Sequence, residues 1–326
     1  MSSAEMLADG LYLGSFLAPL GPWLEQADLT DIYVNKPGEI WTEALGGLIE
    51  RHDLPELDQR ALLRLARQVA AANSQGINRE SPLLAGSLPD GSRIQIALPP
   101  ATRGDVALAI RRHVVQDIDL GSYRRSAEAT ENCQEPTRRT KRTNPELDMI
   151  DDLREAVRLR RNILISGGTS SGKTTFLNAL LGEIPAGERL ITIEDAPELR
   201  VKNANSVGLL AARGALGEAD VTAEDLLIAA LRLRPDRIIL GEIRGREALT
   251  FLRAVNTGHP GSITTIHADS PDRAIDQLAL LVQQSGGGLS WDDTVHYIRR
   301  SIDIIVQLSR AGGARGIDTI MHVLQA

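Results

Sequence analysis

Two rhythms of apolar and polar positions divide the chain. Near the start, "DIYVNKPGEIWTE" alternates apolar and polar residues on both sides of Lys36-Pro37-Gly38, which predicts a hairpin. The following "PELDQRALLRLARQVAAAN" repeats apolar residues at helical spacing, and "SRIQIALPP" and "DVALAIRRH" alternate again as strands. Residues 1–123 are therefore expected to form a mixed α+β domain. The segment "LYLGSFLAPLGPWL", interrupted by Gly and Pro, is expected to be a helix and turn entering that domain's core.

Residues 124–144, including "RRSAEATENCQEPTRRTKRT", contain almost nothing large and apolar, the composition of a linker that cannot bury enough surface to fold by itself. Its basic cluster of Arg138, Arg139, Lys141 and Arg142 is read as solvated. Over residues 145–326 the rhythm changes. Short apolar runs, "RNILIS", "RLITIE", "DRIILG", "SITTIH" and "DIIVQL", alternate with helical patterns such as "AEDLLIAALRLR" and "REALTFLRAV". That order implies parallel strands joined by crossover helices, hence an α/β domain with a mainly parallel sheet. Thr222 and Asp225 make a capping-box signal, and Pro235 stops the same helix before the next strand.

Composition narrows the class. With 42% hydrophobic and 3% aromatic residues, the cores must be filled by Leu, Ile, Val and Ala. A net charge of −7 offers no global attraction to nucleic acid, and no direct nucleic-acid binding is expected. Cys133 is the single cysteine, which excludes an intrachain disulfide and a cysteine-rich zinc module and fits a reducing, cytoplasmic setting. No run approaches the ~20 apolar residues of a membrane-spanning helix. Glu5 and Asp9 stand where a secretory leader would carry basic residues, so no such leader is expected.

The strongest chemical signal is Gly167-Gly168-Thr169-Ser170-Ser171-Gly172-Lys173-Thr174, which satisfies G-x-x-x-x-G-K-[ST] between a predicted strand and a predicted helix. Glycines let backbone N–H groups turn toward a β-phosphate, and the helix N-terminus adds its dipole. Lys173 is expected to reach the β- and γ-phosphates and Thr174 to hold Mg2+. Asn-Lys occurs only at Asn35-Lys36, upstream and followed by Pro-Gly, so the guanine-reading signal is missing and ATP is the expected nucleotide.

Hydrolysis needs acids beside the phosphates, and strand ends supply them. "RLITIE" closes on Glu194-Asp195, "DRIILGE" on Glu242, and "SITTIH" on His267. In a parallel sheet these ends share the edge that carries the phosphate loop. Each acid alone reads equally well as a helix cap or a solvated loop residue. Two of them, each after a branched apolar strand, favour the nucleotide edge. His259, in the preceding Gly-rich turn, is read as structural, whereas His267 is a candidate γ-phosphate sensor.

Taken in order, "GGTSSGKTT", "LITIEDAPEL", "LRLRPDRIILGEIRG" and "GHPGSITTIHA" resemble the Walker A, Asp, Walker B and His boxes of the secretion ATPase superfamily. "VNKPGEIW" and "LPDGSRIQIALPPATRGDVALAIRR" are similar to the N-terminal domain of its type IV secretion branch, the traffic ATPases of the VirB type. The resemblance covers about residues 25–310. It implies a RecA-like P-loop domain after the N-terminal domain, and a homo-hexameric ring with each nucleotide between domains. It further implies a cytoplasmic motor, peripheral to the inner membrane, that docks on secretion-apparatus subunits and powers assembly or translocation of protein or nucleoprotein.

By the same resemblance, Glu194 is the catalytic acid of the Asp box, with Glu198 a neighbour. Glu242 is the Walker B acid, placed to bind magnesium directly or through water, and His267 is the His-box residue. Thr175 closes the Walker A box. Arg93 and Arg111 match arginines that reach the phosphates from another domain, and Arg232 or Arg234 is a further candidate. The short linker leaves open whether domains are swapped between neighbours, and only a slight C-terminal extension is expected. A pilus-retraction motor of the same superfamily and a non-hydrolysing, DNA-binding scaffold are the alternative readings.

Overall fold

The computed structural model describes residues 13–44, 47–112, 118–123, 148–211, 221–286, 288–311 and 314–323. The expected linker 124–144, with Cys133 and the basic cluster of Arg138, Arg139, Lys141 and Arg142, lies outside the described residues. The chain divides into two compact units, the first formed mainly by residues up to 115.

In the first unit, strands β1 (Leu29–Val34), β2 (Glu39–Ala44), β3 (Ile49–Asp53), β4 (Leu83–Ser87), β5 (Arg93–Ala97) and β6 (Ala107–Arg111) form one antiparallel sheet in the order β3-β2-β1-β6-β5-β4. The β1–β2 turn is possible because Gly38 takes φ 84°, a left-handed conformation that suits glycine. Alternation divides the sheet into two faces. Ile32, Val34, Ile94, Ile96, Leu108 and Ile110 are buried in the unit's core with Leu62, Leu65 and Val69 of helix α1 (Gln59–Ala72). Helix α1 begins where Asp58 accepts a hydrogen bond from the Ala61 N–H at 2.7 Å. Residues 13–24 are helical and send Leu13 and Leu20 into the same core.

The second unit contains β7 (Ile163–Gly167), β8 (Leu190–Glu194), β9 (Ser206–Leu210), β10 (Arg237–Leu240), β11 (Ile263–Ile266), β12 (Ile304–Ala311) and β13 (Ala314–His322), ordered β13-β12-β7-β11-β10-β8-β9. Every neighbouring pair is parallel except β12–β13. One apolar layer joins the sheet to α2 (Met149–Arg158) and α3 (Lys173–Leu181) through Leu153, Val157, Phe176 and Leu180. The opposite layer joins it to α4 (Ala223–Arg232), α5 (Glu247–Asn256), α6 (Pro271–Gln284) and α7 (Trp291–Ser301) through Leu227, Phe251, Leu278 and Ile298. Helices on both faces account for the nearly continuous apolar character of these strands. The capping box forms as expected. Thr222 Oγ1 accepts from the Asp225 N–H at 3.2 Å, and the Asp225 carboxylate accepts from the Thr222 N–H at 3.0 Å.

At the start of β10 a wholly buried Arg237 donates to both carboxylate oxygens of Glu188, at 2.7 and 2.9 Å, and to the Val157 carbonyl at 2.8 Å. Gly261 is required beside it, since at φ +80° a Cβ would lie 2.7 Å from the Arg237 guanidinium. Arg237 holds the Glu188 carboxyl below its ordinary range by hydrogen bonding.

Candidate nucleotide site

The phosphate-loop sequence leaves the carboxyl end of β7 and enters α3. Gly172, immediately before the helix, has φ 91°, and Ser170 has φ 60°, so the loop doubles back through two left-handed residues. Gly167 has no room for a side chain, because a Cβ there would sit 2.5 Å from Ser171 Oγ and 3.0 Å from the Leu308 carbonyl. Thr169 is exposed, while Gly168, Ser170, Thr174 and Thr175 are half-buried. No side chain caps the N-terminus of α3. Its first N–H groups and dipole are thus presented to an anion.

Lys173, 8% exposed, donates through Nζ to the carbonyls of Gly167 at 2.9 Å and Gly168 at 3.2 Å, and lies 3.1 Å from His267 Nδ1. An ammonium only donates. His267 Nδ1 must therefore accept, which puts the ring proton on Nε2. That nitrogen is 3.0 Å from Glu242 Oε1, close but without hydrogen-bond alignment. Sheet order explains the meeting: β11 lies between β7 and β10, so His267 stands between the loop after β7 and the acid after β10.

The chain of contacts continues. Glu242 Oε2 accepts from Arg244 Nη2 at 2.6 Å, and Arg244 Nη1 donates to Asp195 at 2.8 Å. The Glu242 hydrogen bond, opposed by partial burial, pushes the Arg244 guanidinium above its already high range and keeps it charged. Glu242, the loop lysine and His267 are thus brought together, and Asp195 of the Glu194-Asp195 strand end joins them through Arg244. Glu194 is placed differently from its neighbour. At 8% exposure, its Oε2 accepts from the backbone N–H groups of Glu198 and Leu199, both at 2.7 Å, organising the turn after β8. Asn178 of α3 fastens that turn to the phosphate-loop helix, donating to the Glu198 carbonyl at 3.0 Å and accepting from the Arg200 N–H at 2.8 Å.

Other candidates lie elsewhere. His259 Nδ1 donates to the Ala254 carbonyl at 3.1 Å and holds the end of α5, a structural part. Arg232 and Arg234 sit at the end of α4 and in the turn before β10, at the opposite end of that strand from Glu242. Arg93 and Arg111 belong to the first unit, where they are register partners on β5 and β6, with Asp31 of β1 paired to Arg111 in turn. Burial raises the Asp31 carboxyl, with the Thr30 hydroxyl and the Arg111 charge pulling it back down.

Arg244 and Asn178 were not singled out from the sequence. Arg244 meets a carboxylate 49 positions away and Asn178 a segment about 20 positions away, and only the sheet order creates either contact. The one local signal is the pairing of Glu242 with Arg244 two positions later.

The residues present fit a magnesium nucleotide. Among the described residues, the buried polar atoms Ser171 Oγ and Glu242 Oε1 have no hydrogen-bond partner, and Lys173 is itself buried. Among the described residues no group of three His, Cys, Asp or Glu could hold a metal alone. Mg2+ takes one or two protein ligands and completes its shell with substrate phosphates and water, so Thr174 and Glu242 suffice as protein ligands. No helix among the described residues is long and apolar enough to cross a membrane.

Comparison with known proteins extends the picture beyond the site. The family described as "Type II/IV secretion system protein" matches residues 17–315. The type IV secretion system protein VirB11 of Bartonella quintana is 37% identical over 326 aligned positions, covering 94% of this chain and 91% of the relative. The PtlH homolog of Bordetella bronchiseptica, also a type IV secretion system protein, is 41% identical over 308 positions, covering 91% and 90%. A crystal structure of the VirB11 ATPase from the Brucella suis type IV secretion system, in complex with sulphate, is similar at 34% identity and a TM-score of 0.50, covering 98% of this chain and 97% of that one.

Proposed function

The chain belongs to the type II/IV secretion system protein family, among its type IV secretion ATPases, and from that premise we propose that it hydrolyses ATP as a ring motor of a type IV secretion system. The relatives' names favour this reading over a pilus-retraction motor or a non-hydrolysing scaffold. The observation that supports the chemistry is the close approach of His267 to both Lys173, at 3.1 Å, and Glu242, at 3.0 Å, which brings the phosphate-loop sequence beside two neighbouring strand ends.

In this reading, loop N–H groups and Lys173 hold the β- and γ-phosphates, and Thr174 and Glu242 hold Mg2+, the latter directly or through water. The metal would neutralise charge developing between the phosphates. Glu242 and Glu194 are the acids that position water, and His267 reports the γ-phosphate to both Lys173 and Glu242. Arg93 and Arg111, register partners on β5 and β6, are the arginines that would reach the phosphates from another domain, where a guanidinium suits a polyphosphate. The domain assignment is 1–123 for the arginine-bearing domain, 124–144 for the linker and 145–326 for the ATPase domain. A homo-hexamer, peripheral attachment to the inner membrane through apparatus subunits, and a protein or nucleoprotein substrate complete the proposal.

The test is ATP turnover against protein concentration, with solution mass measured with and without nucleotide and magnesium. Turnover that rises as a six-subunit species forms, and that Lys173→Ala abolishes in a folded protein, is the expected result. A monomer equally active at every dilution would overturn the ring motor.

A further inference from the structure

We infer that Arg244 is a positioning residue, a two-pronged tie that fixes the carboxylate of Glu242 for catalysis. The inference rests on the ATPase reading above and assigns a part to a residue which that reading leaves out.

Arg244 lies in the turn from β10 to α5, and both its root and its tip are held. At the root, its backbone N–H and that of Gly245 donate to one oxygen of Glu247, at 2.7 and 2.8 Å, and Glu247 is itself buried in the first turn of α5. At the tip, the guanidinium spreads its two terminal nitrogens over two strand ends, Glu242 after β10 and Asp195 after β8. A planar fork anchored at both prongs cannot turn without breaking one of them.

Glu242 depends on that fork. Its Oε1 is buried without an aligned hydrogen bond, so among the described residues the 2.6 Å bond from Arg244 to Oε2 is what sets the plane of the carboxylate. Arg244 also places positive charge between two acids at an edge that must receive a polyanion, lowering their repulsion toward phosphate. Lysine would supply the charge but reach only one carboxylate. Supporting groups of this kind change activity by about 10- to 100-fold while leaving the ligand's direct contacts intact.

The experiment uses the full chain with Arg244→Gln, Arg244→Lys, Asp195→Asn, Glu242→Gln and the Glu242→Gln/Arg244→Gln double variant. It measures kcat and KM for ATP, the affinity of a fluorescent ATP analogue with magnesium, and thermal unfolding without nucleotide. Arg244→Gln should lower kcat by about tenfold or more, with KM and analogue affinity within about twofold of the wild type. Arg244→Lys should restore part of the rate, Asp195→Asn should lose less than Arg244→Gln, and the double variant should be no slower than Glu242→Gln alone. Unfolding without nucleotide should show coupling between positions 242 and 244. An unchanged kcat in Arg244→Gln overturns the inference, as does weakened nucleotide affinity at full kcat, which would make Arg244 a nucleotide contact. Additive rate losses or zero coupling overturn it too. Wild-type protein that binds the analogue yet never turns over ATP would sink the ATPase reading, while the nucleotide-free cycle would still test the tie itself.

Discussion

At the start of β10, Arg237 is wholly buried and its guanidinium is matched to the Glu188 carboxylate and to main-chain carbonyls. Beyond its far end, Glu242 meets Arg244 and His267, side chains 42% and 49% exposed, and among the described residues keeps one oxygen without an aligned partner. One strand therefore separates two charged clusters built to opposite rules. The matched cluster locks strand starts, α2 and the Gly261 turn together, because a buried charge is tolerated only when its hydrogen bonds are complete. The unmatched cluster is half-solvated and can exchange partners, which a ligand edge requires. Charge density alone does not mark a functional site.

Four substitutions probe this contrast. Arg237→Ala should cost about 3–5 kcal/mol, since it removes the two-pronged partner of the Glu188 carboxylate and leaves it only the half-exposed Arg160, 3.3 Å away; denaturant unfolding measures it. Glu242→Gln should cut ATP turnover by about a hundredfold while costing far less stability than Arg237→Ala, no more than the coupling to Arg244 at this half-solvated end. A large loss of stability there would erase the distinction between the two ends. Gly261→Ala should cost about 1–3 kcal/mol, because the new Cβ meets the Arg237 guanidinium and the backbone is left-handed. The smallest effect concerns acid. The folded-state pKa of Glu188 is depressed below 4.5, so its contribution is complete above that value and lost as pH falls through the depressed one. Glu188→Gln should therefore flatten the loss of stability on acidification below pH 4.5, and an unaltered slope would show that the clamp does not titrate as described.

The β1–β2 hairpin, α1, α4 with its capping box, and the parallel strands β7, β8, β10, β11 and β12 were legible because their signals are local: alternation, a cap, or a branched apolar run. Strands β3, β4, β9 and β13 were not. "IERHD" of β3 carries four charged or titratable side chains, and its assignment comes from pairing with β2 at the sheet edge. Strand β9 likewise owes its place to the parallel partner β8. The phosphate loop was readable as eight contiguous residues, and His267 and Glu242 as strand ends. Their mutual distances, the lacing of the β8 turn by Glu194 and Asn178, and the Arg244 tie depend on strand order, which no window of sequence contains.

All three N–H bonds of the Lys173 ammonium have acceptors to aim at: two carbonyls of its own loop and the nitrogen of His267. An incoming phosphate must then win an exchange, and each displaced hydrogen bond is worth about 0.5–1.5 kcal/mol. That sets an admission threshold. In the proposed reading a lone orthophosphate would offer few new contacts in return, whereas a polyphosphate spread along the loop and the helix N-terminus would offer many.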